Sequence, residues 1–123
     1  MEKITIDDFS KVDIRIGTVI EADVPDWSHW VMRLKVDLGA ELGIKKIFSG
    51  IMKFYKVEEL VGHQFPFVVN LEPKNIGPAD ENGTKEQSEG MMIMAVPGGE
   101  EDEETKPILF NIGEKVPNGT KIR

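Results

Sequence analysis

The sequence predicts an all-β protein built around one small closed barrel, and three observations lead to that prediction. Apolar and polar residues alternate with a period of two over Val12–Val24, which is typical of a strand with one buried face. Gly17 lies near the middle of this long stretch, where an interior glycine marks a bend, a bulge or a close backbone approach. A second alternating stretch follows at Trp30–Leu38. A first strand that bends can pair along both edges and close a barrel.

The predicted elements follow one another in chain order. Thr5 and Asp8 have the spacing of a capping box, which predicts a short helix over Ile6–Lys11. Strands are predicted over Val12–Val24, Trp30–Leu38, Ile44–Ile51, Phe65–Leu71, Met91–Val96 and Ile108–Ile112. In the first strand the alternation places the even-numbered side chains, including Ile20, on the buried face. In the second strand it places Met32, Leu34, Val36 and Leu38 there.

A short helix over Val57–Val61, which ends at Gly62, separates the third and fourth strands. In barrels of the OB-fold type, a helix at this place closes one end of the barrel. The pair Asn118–Gly119 predicts a turn before Lys121–Arg123, so an extra terminal hairpin is expected. The predicted architecture is a five-stranded OB-fold barrel with a short helix between strands 3 and 4 and a small C-terminal strand extension.

Length and charge limit the class of protein. The 123 residues suffice for one domain with a real core, so residues 1–123 are expected to form a single unit. The 15 basic and 22 acidic residues leave a net charge of −7, which excludes a polycation that grips nucleic acid along its whole surface. The sequence has neither a signal-peptide pattern nor an apolar run of spanning length. We therefore expect a cytoplasmic protein without membrane contact.

The charge is unevenly distributed along the chain. Lys45–Lys56 contains four lysines and no acid, which makes a local basic patch possible. Glu100–Glu104 is a run of five acids, expected to form a mobile, solvated loop because like charges repel one another and bury nothing. Pro73–Gln87 is a long polar loop, and loops of this length are either binding loops or disordered insertions.

Nothing in the sequence predicts catalysis, a metal site or a cofactor. There is no cysteine, so the chain lacks a thiol nucleophile, a disulfide framework and thiolate ligands. The two histidines, His29 and His63, are far apart in sequence and have no obvious carboxylate partner. Gly98–Gly99 is followed by acids, which is the wrong charge for a loop that cradles phosphate. The sequence therefore predicts a binding protein and not an enzyme.

Several segments occur in an order typical of one known family. They are DFSKVDIRIGTVIEA, RLKVDLG, FSGI, YKVEELVG, VVNLEPK, SEGMMIMA and PNGTKIR. From about Ile4 to Arg123 the chain resembles the OB-fold tRNA-binding domain found at the C-terminus of many methionyl-tRNA synthetases. The same domain occurs as stand-alone tRNA-binding proteins and as a secretion-chaperone branch of the CsaA type. Members of this family are generally homodimers whose terminal segments build the interface. Here the resemblance assigns that role to Ile4–Phe9 and Ile108–Ile122.

The resemblance and the expected position of the loops single out eight candidate RNA-binding residues. They are Ser28, Trp30, Arg33, Lys53, Asn70, Lys74, Ser88 and Met91. An amide such as Asn70 can hydrogen-bond base edges, and an ammonium such as Lys74 can pair with phosphate. The alternative is that Asn70 ties down its own turn. Ser88 can contact phosphate or a 2′-hydroxyl, whereas Met91 packs against a base or simply fills the core.

Trp30 is where the sequence departs from the family, which usually has a lysine at this position. An exposed tryptophan can stack on a base or dock an apolar peptide side chain. The alternative is a ring that covers the barrel mouth or the dimer seam.

The lysines, Lys53 among them, are either an electrostatic footprint for phosphate or an ordinary solvated face. Glu89 is expected to be structural, because its charge repels phosphate.

These observations lead to three functional hypotheses. The first is a homodimeric, non-catalytic module that binds structured RNA, tRNA in the first place, by shape and backbone. The second is a peptide-binding chaperone of the CsaA type, in which Trp27, Trp30, Phe48 and the methionines line an apolar groove for unfolded segments. The third is an assembly partner for a synthetase. Fold alone does not separate them.

Overall fold

The computed structural model describes residues 1–123 and confirms the all-β barrel. The helices are α1 (Ile6–Ser10), α2 (Gly39–Leu42) and α3 (Val57–Leu60). The strands are β1 (Ile14–Asp23), β2 (Met32–Asp37), β3 (Ile44–Ser49), β4 (Gln64–Val68), β5 (Lys74–Ile76), β6 (Glu86–Ser88), β7 (Met91–Met92), β8 (Met94–Ala95), β9 (Ile108–Leu109) and β10 (Lys121–Ile122). No helix is long and apolar enough to cross a membrane.

Strand β1 organises the barrel, as the long alternating stretch predicts. One edge pairs with β4 along Ile14–Thr18. The other edge pairs with β10 at its start and with β2 from Thr18 onward, so the barrel sheet runs β3-β2-β1-β4-β7. Gly17 lies where strands approach closely: a Cβ there would be 2.6 Å from Val36 Cγ1 and 2.7 Å from Leu38 Cδ2. Only glycine fits this position without displacing its neighbours.

The prediction that the even-numbered face of β1 is buried along its whole length is wrong at Ile20, whereas Ala22 packs against the core as predicted. The pairing of β1 with β2 shifts register between Val19 and Glu21. This bulge reverses the alternation, so that Val19 is fully buried whereas Ile20 is 38% exposed. The four inward residues predicted for β2, Met32, Leu34, Val36 and Leu38, are all buried in the core. They pack with Ile47 of β3, Phe67 of β4 and Leu60 of α3 in one buried cluster.

Three further elements differ from the sequence-based expectation. The polar loop Pro73–Gln87 contains a β-hairpin, since β5 pairs with β6. The predicted strand Met91–Val96 is divided into β7, which pairs with β4, and β8, which pairs with β9. The predicted terminal hairpin does not form, because β9 pairs with β8 and β10 pairs with β1. The helix α1 is confirmed, with the Asp8 backbone N–H donating to Thr5 Oγ1 over 3.0 Å.

Candidate ligand-binding face

The outer face of β2 and β3 is flanked by the β1–β2 loop and by the hairpin of residues 74–88. In the antiparallel pairing, Arg33 lies opposite Phe48 and Lys35 lies opposite Lys46. Opposite residues in such a pair project to the same side of the sheet, so three cations and one aromatic ring share this face. The sheet therefore presents the side chains from which an anion-binding surface could be built.

The cation at the centre of this face, Arg33, is already paired with acids of the chain itself. Its Nη1 donates to both carboxylate oxygens of Glu86, at 2.7 and 2.6 Å, and its Nε and Nη2 donate to Asp23 at 3.0 and 2.6 Å. Hydrogen bonding from Arg33 holds the pKa of Asp23 below its ordinary value. Such bidentate pairs are strong, so Arg33 has little capacity left for a phosphate.

The neighbouring lysines are neutralised in the same way. Lys46 Nζ lies 3.1 Å from Glu86, and Lys35 Nζ lies 3.1 Å from Glu21. Lys45 Nζ lies 3.7 Å from Glu89, which also accepts the Lys46 backbone N–H. Partial burial by itself raises the pKa of Glu86, but the hydrogen bonds from Arg33 and Lys46 outweigh it and the pKa falls below its ordinary value. The structural role expected for Glu89 agrees with these contacts.

The hairpin is held against the face by Trp27 as well as by Glu86. The Trp27 ring packs on Phe48, with centroids 6.1 Å apart and planes tilted by 39°. On the hairpin, Gly77 has φ +78° and lies so close that a Cβ there would be 2.5 Å from the Trp27 ring. Glycine is required for both the left-handed backbone and the close approach. The hairpin thus covers part of the surface on which oligonucleotides lie in other OB-folds.

Three of the candidate polar side chains make hydrogen bonds inside the protein. Ser28 is buried, and its hydroxyl accepts the backbone N–H groups of Trp30 and Val31. Ser88 is buried, and its hydroxyl accepts the Phe48 N–H and donates to the Gly90 carbonyl.

Asn70 has a comparable role, because it ties strand β4 to the N-terminal segment. Its Oδ1 accepts the Asp13 N–H over 2.8 Å, and its Nδ2 donates to the Lys11 carbonyl over 2.6 Å. These contacts assign Ser28, Ser88 and Asn70 to holding the loops in place. A direct contact with RNA at any of them stays a prediction.

The other candidates, apart from Arg33, are exposed. Trp30 is 58% and Met91 50% exposed. Lys53 and Lys74 are also exposed, and neither takes part in an ion pair. Trp30 and Lys53 line one cavity of about 210 Å³, and Met91 lines a neighbouring one. Lys74 lies opposite Ser88 at the base of the hairpin and lines neither cavity. Of the eight candidate residues, the structure therefore brings Trp30, Lys53 and Met91 to two neighbouring cavities.

The acidic run also contributes to this region: four of its five acids are exposed, as expected for a solvated loop, but Asp102 is partly buried. Glu100, Asp102 and Glu103 line the cavity that contains Trp30 and Lys53. The Asp102 carboxylate accepts the backbone N–H groups of Glu104 and Thr105 and the Thr105 hydroxyl. These hydrogen bonds, that of the Thr105 hydroxyl above all, hold the pKa of Asp102 below its ordinary value. Asp102 thus organises a turn, whereas the other acids of the run are exposed.

The structure adds three residues that sequence reasoning missed. Glu86 neutralises two cations, Asp102 organises the acidic turn, and the buried Ser49 hydroxyl has no hydrogen-bond partner. The role of Glu86 depends on residues 40 and 53 positions away, so no local pattern marks it. The Asp102 contacts are local, with residues two and three positions further on, and an aspartate that bonds the following backbone N–H groups is a common turn signal. No group of three or more histidine, aspartate or glutamate side chains is placed to hold a metal ion.

Comparison with known proteins gives a consistent set of relatives. A family model described as "Putative tRNA binding domain" matches residues 14–121. The methionine–tRNA ligase of Clostridium tetani is 36% identical over 122 residues, which are 99% of this chain and 17% of that protein. That of Thermococcus kodakarensis is 32% identical over 123 residues, which are 100% of this chain and 15% of that protein. The chain thus spans about a sixth of the length of the curated relatives it matches.

Two solved structures are similar over their whole length. The chaperone CsaA of Bacillus anthracis has a TM-score of 0.82 and 33% identity, covering 99% of this chain and 100% of that one. A MetRS-related protein of Pyrococcus horikoshii has a TM-score of 0.78 and 32% identity, covering 100% of both chains. Both comparisons show that these proteins share the overall fold of this chain.

Proposed function

We propose that this chain, which belongs to the family of tRNA-binding domains related to the C-terminal domain of methionyl-tRNA synthetase, acts as a homodimeric, non-catalytic module for tRNA. The observation that carries the proposal is the family match over residues 14–121, which includes both loops that flank the β2–β3 face. The relation to methionine–tRNA ligases also makes a synthetase a candidate partner.

The exposed groups support RNA binding in a specific form. Trp30 offers a ring on which an unpaired base can stack, and Lys53 beside it offers a free ammonium for a phosphate. Lys74 adds a second free ammonium at the base of the hairpin. Because Arg33, Lys35 and Lys46 are paired with acids, binding depends on few cations and on stacking. Folded RNA presents unpaired bases in loops and ends, which suits this arrangement.

The homodimer is supported by apolar surface on both terminal segments. Helix α1 buries none of its residues, and Ile6 and Phe9 are 75% and 41% exposed. Near the other end, Ile108 and Phe110 are 49% and 47% exposed. Apolar surface on the segments to which the family resemblance assigns the interface is best covered by a second copy of the chain.

Substitution of the exposed groups tests tRNA binding directly. Lys53→Ala and Lys74→Ala should each weaken binding of total tRNA by about 1 kcal/mol at low salt, since each removes one phosphate contact. Trp30→Ala should weaken it by about 1–3 kcal/mol through the lost stacking, and Trp30→Phe should weaken it less. The measurement is an electrophoretic shift titration.

The matched control is Lys56→Ala, which removes the same charge from an exposed lysine that does not line the Trp30 cavity. An equal loss in Lys56→Ala and Lys53→Ala would mean that only net charge matters. Unchanged tRNA binding in all four variants, Lys53→Ala, Lys74→Ala, Trp30→Ala and Trp30→Phe, would contradict the proposed site.

A second function, capture of unfolded peptide segments, is favoured by a different observation. Trp30, Met91 and Val96 are all large apolar side chains, respectively 58%, 50% and 43% exposed, and they line adjoining cavities. Methionine and tryptophan adapt to varied apolar partners. Under this function Trp30→Ala should abolish capture, whereas the lysine substitutions should have little effect.

A further inference from the structure

The two cavities beside Trp30 form one continuous groove. The smaller, about 210 Å³, contains Trp30, and the larger, about 430 Å³, contains Met91. They share Gly50, Met94, Val96 and Glu100 as lining residues. We call this surface the Trp30 groove. A Cβ at Gly50 would lie 3.1 Å from Trp30 Cδ1, so the absence of a side chain at residue 50 keeps the groove open beside the ring.

One wall of the groove is apolar and another is acidic. Trp30, Met91 and Val96 provide the apolar wall. Glu100, Asp102 and Glu103 provide the acidic wall, and Lys53 is the only basic residue in the lining. An anionic ligand in this part of the groove would face three carboxylates and one ammonium, whereas a cationic ligand would find a complementary charge.

The acidic wall is built into the fold. Asp102 fixes the turn through its hydrogen bonds to Glu104 and Thr105. Position 98 is a glycine, and a Cβ there would overlap the Asp102 carboxylate. These contacts determine the course of the loop that brings Glu100 and Glu103 to the groove.

We infer that the Trp30 groove docks an extended peptide segment in which an apolar side chain lies next to a basic one. The apolar side chain packs on Trp30, Met91 and Val96. The basic side chain pairs with Glu100 and Glu103. This inference rests on the second function proposed above, the capture of peptides, and adds to it a preference for positive charge.

Fluorescence anisotropy with three labelled peptides of about eight residues tests the inference. The peptides share one apolar sequence and differ only in flanking arginine, glutamine or glutamate. The wild-type protein should bind the arginine peptide at least about 10-fold more tightly than the glutamate peptide, with the glutamine peptide between them.

Two double variants of the acidic run separate the groove from general charge. Glu100→Gln/Glu103→Gln removes two carboxylates that line the groove and should abolish the preference for arginine. Glu101→Gln/Glu104→Gln removes the same charge from exposed residues of the same loop outside the lining, and should retain the preference. Equal binding of the three peptides, or an equal loss in both double variants, would overturn the inference.

A tRNA titration of the same proteins distinguishes this inference from the first proposed function. If wild-type protein binds tRNA but none of the peptides, and Glu100→Gln/Glu103→Gln tightens tRNA binding, the groove serves RNA and the peptide inference is wrong. If it binds the arginine peptide but no tRNA at low salt, the inference stands and the tRNA function fails. Binding of neither ligand by folded protein would overturn both.

Discussion

At the scale of single residues, Glu86 sets the charge of the face. Its carboxylate receives hydrogen bonds from both Arg33 and Lys46, and its side chain is 31% exposed. A pair that is partly exposed contributes modestly to stability, but here both Glu86 oxygens accept from Arg33 Nη1 and one of them also accepts from Lys46. Glu86 therefore fastens the hairpin to the barrel and at the same time withholds two cations from a phosphate ligand.

Glu86→Gln should cost about 1 kcal/mol of unfolding free energy at pH 7, the amount expected for a partly exposed ion pair. The pKa values of Asp23 and Glu86 are lowered in the folded state from ordinary values of 3.8 and 4.5. Their contribution is therefore fully present above pH 4.5 and is lost as the pH falls below it. Urea unfolding from pH 7 down to about pH 3 should show a smaller acid-induced loss for Glu86→Gln than for the wild type.

The control for this variant is Glu81→Gln in the same hairpin, where the carboxylate is exposed and takes part in no ion pair. It should leave both the stability at pH 7 and its pH dependence unchanged. Identical pH profiles for Glu86→Gln and the wild type would show that the Arg33–Glu86–Lys46 contacts do not stabilise the fold.

At the scale of elements, the close packing of strand β1 against residues 36–38 depends on Gly17. Gly17→Ala should destabilise the protein by about 1–3 kcal/mol, because the new methyl group would meet Val36, Leu38 and the Asp37 carbonyl oxygen within 3.1 Å. Gly113→Ala is the matched control, since a Cβ at that position has no neighbour within 4 Å. Thermal and urea unfolding of the two variants measures the difference. Equal stability of both would mean that β1 can shift to accommodate the side chain.

The elements also show what the sequence can predict. The buried face of β2 follows from its alternation, because β2 pairs residue by residue with β3 and the extra residue of the β1–β2 bulge lies in β1. Val19 and Ile20 could not be assigned to the right faces, because the bulge arises from the pairing of β1 with β2. The division of Met91–Val96 into two strands likewise depends on distant partners, β4 and β9.

In the candidate site, too, the features that depend on distant partners could not be predicted from the sequence. Trp30 and Lys53 were predictable as ligand-binding candidates, and the structure places them in one cavity. The pairing of Arg33 with Glu86 joins residues 53 positions apart, so no local pattern marks it. The sequence suggested a hydrogen bond within the chain for Asn70 but not for Ser28 or Ser88. For Asn70 the expected partner was its own turn, whereas the observed partners are Lys11 and Asp13.

At the scale of the whole molecule, we expect a dimer of twice the 13.8 kDa of one chain. Phe110→Asp should shift the protein towards monomer, because a charge in the apolar interface is costly. Sedimentation velocity at micromolar concentration measures the change. The control is Ile44→Asp, which places the same charge at an exposed isoleucine of β3, outside the terminal segments. A monomeric wild-type protein, or a dimer that both variants leave intact, would contradict the proposed interface.

The charge of the whole molecule leads to the most direct test of the central claim, that this domain binds tRNA through few free cations. The measurement is the affinity of wild-type protein for total tRNA across a salt series. With Lys53 and Lys74 as the two lysines that contact phosphate, the logarithm of the association constant should fall with the logarithm of salt concentration with a slope of about −1.4 to −1.8 for each protomer engaged. The Lys53→Ala/Lys74→Ala variant should flatten this slope. Absence of tRNA binding even at low salt, together with suppression of aggregation of an unfolded client, would contradict the claim.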